Sequence, residues 1–229
     1  MRNKKRLFFM LIFSGLIGSS NLNGQDVFGG LMIGGGYTYS TFRSNHIDFT
    51  PHLGFNFTLG SFYPVSDKVI ILSEMGITQA GANTTGRELG FYSSSEAERL
   101  KFSYIQLSYS VLTKYCIYSP SLSLLGGVGF CYRDDVRNSN FNSDLYLGES
   151  DDPNHNIHGY DLEQDFKYTS FKLEMGASFS LKNVLVSLRY LYFMGKFFDY
   201  TSDDNYNIFV KPSMLELKVL FNLRSDYSF

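Results

Sequence analysis

Residues 213–229, SMLELKVLFNLRSDYSF, end the chain on a nearly unbroken alternation of apolar and polar side chains. Most odd positions are apolar, from Leu215 to the terminal Phe229, while even positions such as Glu216 and Lys218 are charged. A period of two predicts a β-strand with one apolar and one polar face. The alternation reaches the last residue, whereas a soluble sandwich would normally follow such a strand with a solvated tail.

Seven further segments alternate in the same way, and the connections between the segments are short and long in turn. The eight predicted strands are residues 30–40, 49–62, 69–80, 101–115, 121–133, 166–181, 184–194 and 213–229. Each is long enough for the roughly 9 to 11 residues that a tilted strand needs to cross a membrane. The sequence therefore predicts an all-β fold, an eight-stranded antiparallel up-and-down transmembrane β-barrel.

The final strand also resembles the C-terminal strand of bacterial outer-membrane barrels. In those proteins the terminal aromatic residue is read by the barrel-assembly machinery, and the last strand pairs with the first. Such closure would remove sheet edges that lipid does not tolerate. The resemblance implies that strand 213–229 closes the cylinder.

The alternation alone fits a soluble barrel as well as a membrane barrel. The positions of the charged residues distinguish the two. They fall on the strand faces that are rich in Ser and Gly, which meet in a narrow lumen if the apolar faces point outward. The predicted lumenal ion-pair cluster consists of Glu74, Glu174, Arg189, Glu216 and Lys218. On a lipid-facing surface, cations would cost about 2–4 kcal/mol each at mid-membrane. These charges favour a packed, paired lumen over a path for protons or ions.

The 229 residues are enough for one domain, with residues 26–229 forming the barrel. Residues 1–25 are predicted to be a signal peptide, since a basic cluster precedes the apolar run 7–18 and small and polar residues follow it. The alternative is a membrane anchor, but an anchor needs about 20 apolar residues.

Composition limits the partners and the redox state. Without residues 1–25 the chain has 16 Lys and Arg against 22 Asp and Glu, a net charge of about -6, so no nucleic-acid partner is expected. The 17 Tyr and 22 Phe suit strands and interfacial girdles. Cys116 and Cys131 are expected to be unpaired, because one ends a strand at a turn and the other lies well along the next strand.

Three histidines offer chemistry that the pattern does not require. His52, on the predicted lumenal face, could act as a base in lipopolysaccharide modification, although no Ser or Asp partner is fixed for it. His155 and His158 lie in an acidic loop that could hold a divalent cation, but the spacing matches no defined calcium loop. No catalytic residue, cofactor or metal site is therefore assigned.

Four strand segments resemble the PorT-like outer-membrane β-barrel family of the Bacteroidota. They are SEMGITQAG (73–81), YIQLSYSVLTKY (104–115), LLGGVGF (124–130) and LRYLYFMG (188–195). The family's usual proline in the fourth strand is Ser108 here. The resemblance implies an outer-membrane barrel, and the family includes an accessory protein of the type IX secretion and gliding apparatus.

The expected function is that of a non-enzymatic outer-membrane protein, either an accessory of a secretion or surface-assembly machine or a scaffold for surface loops. The alternatives are a lipopolysaccharide-modifying enzyme and a narrow channel for ions or small solutes. Expected partners are outer-membrane lipids, lipopolysaccharide, the barrel-assembly machinery and secretion-system proteins. Both ends of the mature chain are expected in the periplasm.

Overall fold

A computed structural model describes residues 30–45, 47–88, 98–118, 121–134, 137–138, 145–147, 157–158, 168–201 and 207–223. The predicted signal peptide and the terminal Phe229 lie outside these residues. Within them, no helix is long and apolar enough to span a membrane. The strands are β1 (Gly30–Ser44), β2 (Thr50–Ser66), β3 (Val69–Glu88), β4 (Glu98–Tyr118), β5 (Leu122–Arg133), β6 (Arg137–Asn138), β7 (Leu145–Leu147), β8 (Ile157–His158), β9 (Thr169–Leu181), β10 (Val184–Met194), β11 (Phe198–Thr201) and β12 (Asn207–Asn222).

Eight long antiparallel strands form a closed ring. Each pairs with the next in the order β1, β2, β3, β4, β5, β9, β10, β12, and β12 pairs with β1 from Met32 opposite Asn222 to Ser44 opposite Val210. The ring leaves none of these strands at an open edge, as a membrane-spanning sheet requires. The predicted fold class is confirmed.

The stagger of the ring sets how wide the barrel is. A row of paired residues started at Gly36 reaches β5 at Arg133 in one direction and at Ser123 in the other, a shear of ten residues (133 against 123). In one direction the row runs through Asn56, Thr78 and Gln106, and in the other through Lys218, Ser187 and Ser178. Eight strands with such a stagger tilt by about 35–45° and enclose little more than side chains.

The two faces of the barrel wall are inverted relative to a soluble protein. Outward-facing Tyr37 and Leu53 are 63% and 65% exposed, whereas inward-facing Arg189 and Lys114 are fully buried. Apolar outward side chains recur along all eight long strands. An apolar exterior of this extent around a charged interior is stable in lipid and would aggregate in water.

The sequence pattern had suggested an inward face that is polar throughout, but the structure shows apolar side chains at both ends of the lumen. A turn-end cluster of apolar side chains fills the lumen beside the short turns, and a loop-end cluster fills it beside the long connections. The turn-end cluster is Met32, Phe62, Ile70, Leu72, Leu112, Leu125, Leu185 and Leu220. The loop-end cluster includes Phe42, Leu100, Phe102, Tyr104, Phe193, Phe197 and Phe198. Polar and charged interior residues are thus confined mainly to the middle of the barrel.

Short and long connections alternate as predicted, so the short turns share one end of the barrel. Lys182 and Asn183 form the two-residue turn between β9 and β10, and Lys182 has a positive φ of 46°. At the end with the long connections, the predicted lengths of two strands were wrong. Residues 81–88 and 98–100 were predicted to be loop but continue β3 and β4, and Gly86 pairs with Glu98. Once the hairpin leaves the lipid, it needs no apolar outward face, so its polar composition hid the strand.

The closing strand was also placed too late in the sequence. It begins at Asn207, not at residue 213, while residues 224–229 of the predicted strand lie outside the described part of the chain. Its first residues pair with β11, which the sequence had assigned to a loop. Val210 and Phe198 stand opposite each other there and are fully buried in the loop-end cluster. Burial of these two side chains over the barrel mouth explains why residues that were assigned to a loop pair as strands.

Candidate functional site

A bidentate ion pair crosses the middle of the barrel. Arg189 Nη1 lies 2.6 Å from Glu74 Oε2, and Arg189 Nη2 lies 2.7 Å from Glu74 Oε1. Arg189 is on β10 and Glu74 on β3, four strands apart in either direction around the ring of eight. The two side chains therefore meet from opposite walls. A paired guanidinium and carboxylate have fixed relative orientation, so this contact ties the walls together.

Four more charged side chains extend this pair into a network. Lys218 Nζ lies 3.5 Å from Glu74 Oε2 and 3.0 Å from Glu216 Oε2. On the other side, Arg189 Nη1 lies 3.7 Å from Glu174 Oε2, and Lys172 Nζ lies 2.8 Å from Glu174 Oε1. The network contains three carboxylates and three cations, so it is neutral as a whole. Neutrality is what allows six charges to be buried together.

The structure brings together all five residues of the predicted cluster, from four strands. It adds Lys172, whose inward parity was visible in the sequence but whose partner was not. Gly129 makes room for it, because a Cβ there would lie 2.8 Å from Lys172 Cε and 2.7 Å from Ser110 Oγ. Ser110 Oγ in turn donates to Glu174 Oε1 over 2.5 Å. The pairing of a glycine on β5 with a long cation on β9 is the signal that could have identified Lys172.

Next to the network, several buried polar side chains have no hydrogen-bond partner among the described residues. Both amide atoms of Asn56 and of Gln106 are in this state, and so is Thr58 Oγ1. Gln106 is fully buried and Asn56 is 5% exposed. They lie on β2 and β4, on either side of Thr78 in one row. Buried groups of this kind are ordinarily satisfied by ordered water.

His52 lies apart from the network, near the loop end of β2. Its side chain is 7% exposed, and its Nε2 has no hydrogen-bond partner among the described residues. The nearby Ser40 Oγ donates to the main-chain oxygen of His52 over 3.4 Å, not to the ring. Among the described residues, the geometry therefore shows no Ser–His pair for acyl transfer.

The other sequence candidates are not assembled into a site by the described residues. His158 belongs to β8, and His155 lies outside the described residues. In the part of the chain that the structure describes, no three His, Cys, Asp or Glu side chains are grouped to hold a metal ion. Cys116 and Cys131 are both free and buried, which confirms the prediction that they do not pair.

Arg133 reinforces the loop-end cluster. Its guanidinium carbon lies 3.1 Å from the centre of the Phe197 ring and 5.8 Å from that of Phe193. Phe197 precedes β11 and is fully buried, so the connection after β10 places an aromatic side chain across the mouth of the barrel. Such stacking of a desolvated guanidinium on a ring is favourable.

The ring, its apolar exterior and its charged interior define an eight-stranded barrel of the outer-membrane class.

No family model matches the chain, and no curated protein sequence matches it. Solved structures that are similar to it include the following three. Neisserial surface protein A is 14% identical with a TM-score of 0.47, covering 84% of this chain and 97% of its own. The attachment invasion locus protein Ail of Yersinia pestis, solved with the heparin analogue sucrose octasulfate, is 17% identical with a TM-score of 0.42, covering 84% and 99%.

The outer membrane protein OprG from Pseudomonas aeruginosa is 14% identical with a TM-score of 0.41, and the match covers 85% of this chain and 96% of OprG. At this level of identity the likenesses concern the fold alone. The assignment of the fold rests on the strand pairing and on the inverted faces of the wall.

Proposed function

We propose that this chain is a non-enzymatic outer-membrane scaffold that presents its long-connection end to the proteins of a secretion or surface-assembly machine. The observation that carries the proposal is the Arg189–Glu74 pair, which bridges opposite walls of the barrel at 2.6 and 2.7 Å. A lumen that is bridged at its middle and lined with packed apolar side chains at both ends favours a filled barrel over a path for solutes. Under this proposal the interior side chains stabilise the barrel, and the surface binds the partners.

The surface with the most structure is the long-connection end. There β3 and β4 pair as far as Gly86 opposite Glu98, beyond the rest of the ring. The short strands β6 and β7 add to opposite sides of this hairpin, and β8 adds to β7. The long connection after β5 thus forms a small sheet around the β3–β4 hairpin. Such an extension presents a defined surface to partners.

The resemblance of four strand segments to the PorT-like family supports a machine of the type IX kind. Under this proposal the barrel is located in the bacterial outer membrane, with the short turns and both ends of the mature chain in the periplasm. The strand that closes the ring is then the segment presented to the barrel-assembly machinery.

Affinity isolation of the tagged protein from native membranes, with mass spectrometry, tests this function. Secretion components should be recovered with the intact protein and lost when residues 89–97, which connect β3 to β4 in the sequence, are replaced by a short Gly-Ser turn. The matched control replaces Lys182 and Asn183 at the opposite end and should keep the partners. A barrel that is isolated alone in both cases, with secretion unaffected by its deletion, contradicts the proposal.

The two alternatives make different predictions. A lipopolysaccharide-modifying enzyme would change the mass of lipid A, and His52→Ala would abolish the change. The unpartnered His52 Nε2 and the absence of a Ser–His contact among the described residues favour the scaffold over this enzyme. A channel would require an open lumen, and the cross-barrel pair favours the scaffold over it.

A further inference from the structure

The outward face of the β1–β12 ladder changes character abruptly near the long-connection end. Successive outward pairs along the ladder are Ile33 with Phe221, Gly35 with Val219, Tyr37 with Leu217, Tyr39 with Leu215, Thr41 with Ser213, and Arg43 with Lys211. The wall is therefore apolar as far as Tyr39 and Leu215, then briefly small and polar, then cationic. That order follows the profile of a membrane from acyl chains to headgroups.

The distance along the strand fits this profile. Arg43 is four residues beyond Tyr39, which is 53% exposed and ends the apolar series on β1. Four residues of strand span about 13 Å, or about 10 Å along the membrane normal when the strand is tilted. Arg43 and Lys211 thus lie at the depth of the headgroups when Tyr39 lies at the apolar boundary.

Two like charges stand directly opposite each other in this ladder, an arrangement that by itself destabilises an antiparallel pair. Phe209 lies two residues from Lys211 on the same face, and its ring centre is 5.5 Å from Lys211 Nζ. Lys196, from the connection after β10, places its Nζ 5.4 Å from the same ring. Three cations thus converge on one side of the barrel, two of them on one aromatic ring. In the adjoining ladder, Asp199 on β11 stands opposite Phe209.

We propose that Arg43, Lys196 and Lys211 form a binding site for the phosphate groups of an anionic lipid headgroup. Arginine suits a phosphate because its planar guanidinium donates two parallel hydrogen bonds, and the lysines add mobile point charges. A phosphate between Arg43 and Lys211 neutralises the like-charge pair. Phe209 lies beyond Lys211, on the side away from the apolar wall, and its ring holds the two lysines beside the site. In an outer membrane the lipid is lipopolysaccharide, and that identity rests on the proposed location of the long-connection end.

Binding to the purified, detergent-solubilised barrel tests the site without any assumption about cellular location. The probes are phosphorylated lipid A, lipid A stripped of its phosphates, and inorganic phosphate as a competitor. The triple variant Arg43→Gln, Lys196→Gln, Lys211→Gln should bind phosphorylated lipid A roughly tenfold to a hundredfold more weakly, since each cation near such a surface contributes severalfold. The control Lys68→Gln, Lys182→Gln removes two exposed cations at the opposite end and should bind like the unaltered protein.

Circular dichroism and the mobility shift on unheated gels establish that each variant is folded. Equal binding of phosphorylated and dephosphorylated lipid A, or unchanged binding by the triple variant, overturns the site. Displacement of the lipid by inorganic phosphate at comparable concentrations assigns the cations to free phosphate and overturns the lipid proposal. Loss of partner proteins in membrane isolations bears on the scaffold function alone, so the two proposals can fail separately.

Discussion

Arg189 and Glu74 meet at 2.6 and 2.7 Å from opposite walls of the barrel. Removing both partners leaves two balanced pairs, Lys218 with Glu216 and Lys172 with Glu174. Removing one partner leaves an unbalanced charge in a buried network. The same contact therefore stabilises the barrel and bridges its lumen.

Loss of the guanidinium alone should strongly destabilise the barrel. Arg189→Leu leaves Glu74 and Glu174 with too little positive charge, and breaking a buried pair in this way costs about 3–5 kcal/mol. The double variant Glu74→Leu, Arg189→Leu should cost less than either single variant. Urea unfolding in lipid vesicles, followed by circular dichroism because the chain has no Trp, measures all three. Unchanged unfolding of Arg189→Leu would show that the network contributes nothing to stability.

The glycine beside Lys172 should resist substitution. Gly129→Ala places a Cβ 2.7 Å from Ser110 Oγ and 2.8 Å from both Lys172 Cε and the main-chain oxygen of Tyr109, so the neighbours must shift at a cost of about 1–3 kcal/mol. Gly126→Ala is the matched control on the same strand, since its Cβ meets nothing within 4 Å. The midpoint of thermal unfolding compares them. Equal midpoints would contradict the tight packing around Lys172.

Buried amides without a protein partner should be easier to remove than the network's own hydrogen bonds. Gln106→Leu should change the free energy of unfolding by under about 1 kcal/mol, because no described protein group loses a bond. Ser110→Ala removes a bond to the Glu174 carboxylate and should cost about 1.5–3 kcal/mol. The reverse order in denaturant unfolding would mean that Gln106 is bound more firmly than its surroundings indicate.

The orientation of the barrel can be read from labelling of intact cells. A cysteine at Asn154, in the longest connection, should react with an impermeant maleimide, whereas one at Asp67, in a short turn, should not. The native Cys116 and Cys131 are 8% and 0% exposed, so they should add little background. Labelling at Asp67 with none at Asn154 would show that the barrel has the opposite orientation.

Much of this arrangement follows from the alternation of apolar and polar residues along each strand. The rest depends on contacts between strands that the alternation does not predict. Alternation alone places Glu74, Arg189 and Glu216 in the lumen, since a side chain on one face of a strand has no other direction to take. It does not show that Arg189 reaches the opposite wall, because that depends on the shear of the ring. The apolar interior ends were missed because residues such as Phe193 and Leu185 look like breaks in a polar face, while they in fact cap the lumen.

Current recordings in planar lipid bilayers test most directly the central claim, that the lumen is closed and the barrel acts through its surface. The purified, folded protein should insert without discrete conductance steps, because the cross-barrel pair and both apolar clusters fill the lumen. A nonspecific detergent leak is identified by the same recording with heat-unfolded protein. Reproducible unitary steps from the folded protein, altered in size by Glu74→Gln, would contradict the account and identify the chain as a channel.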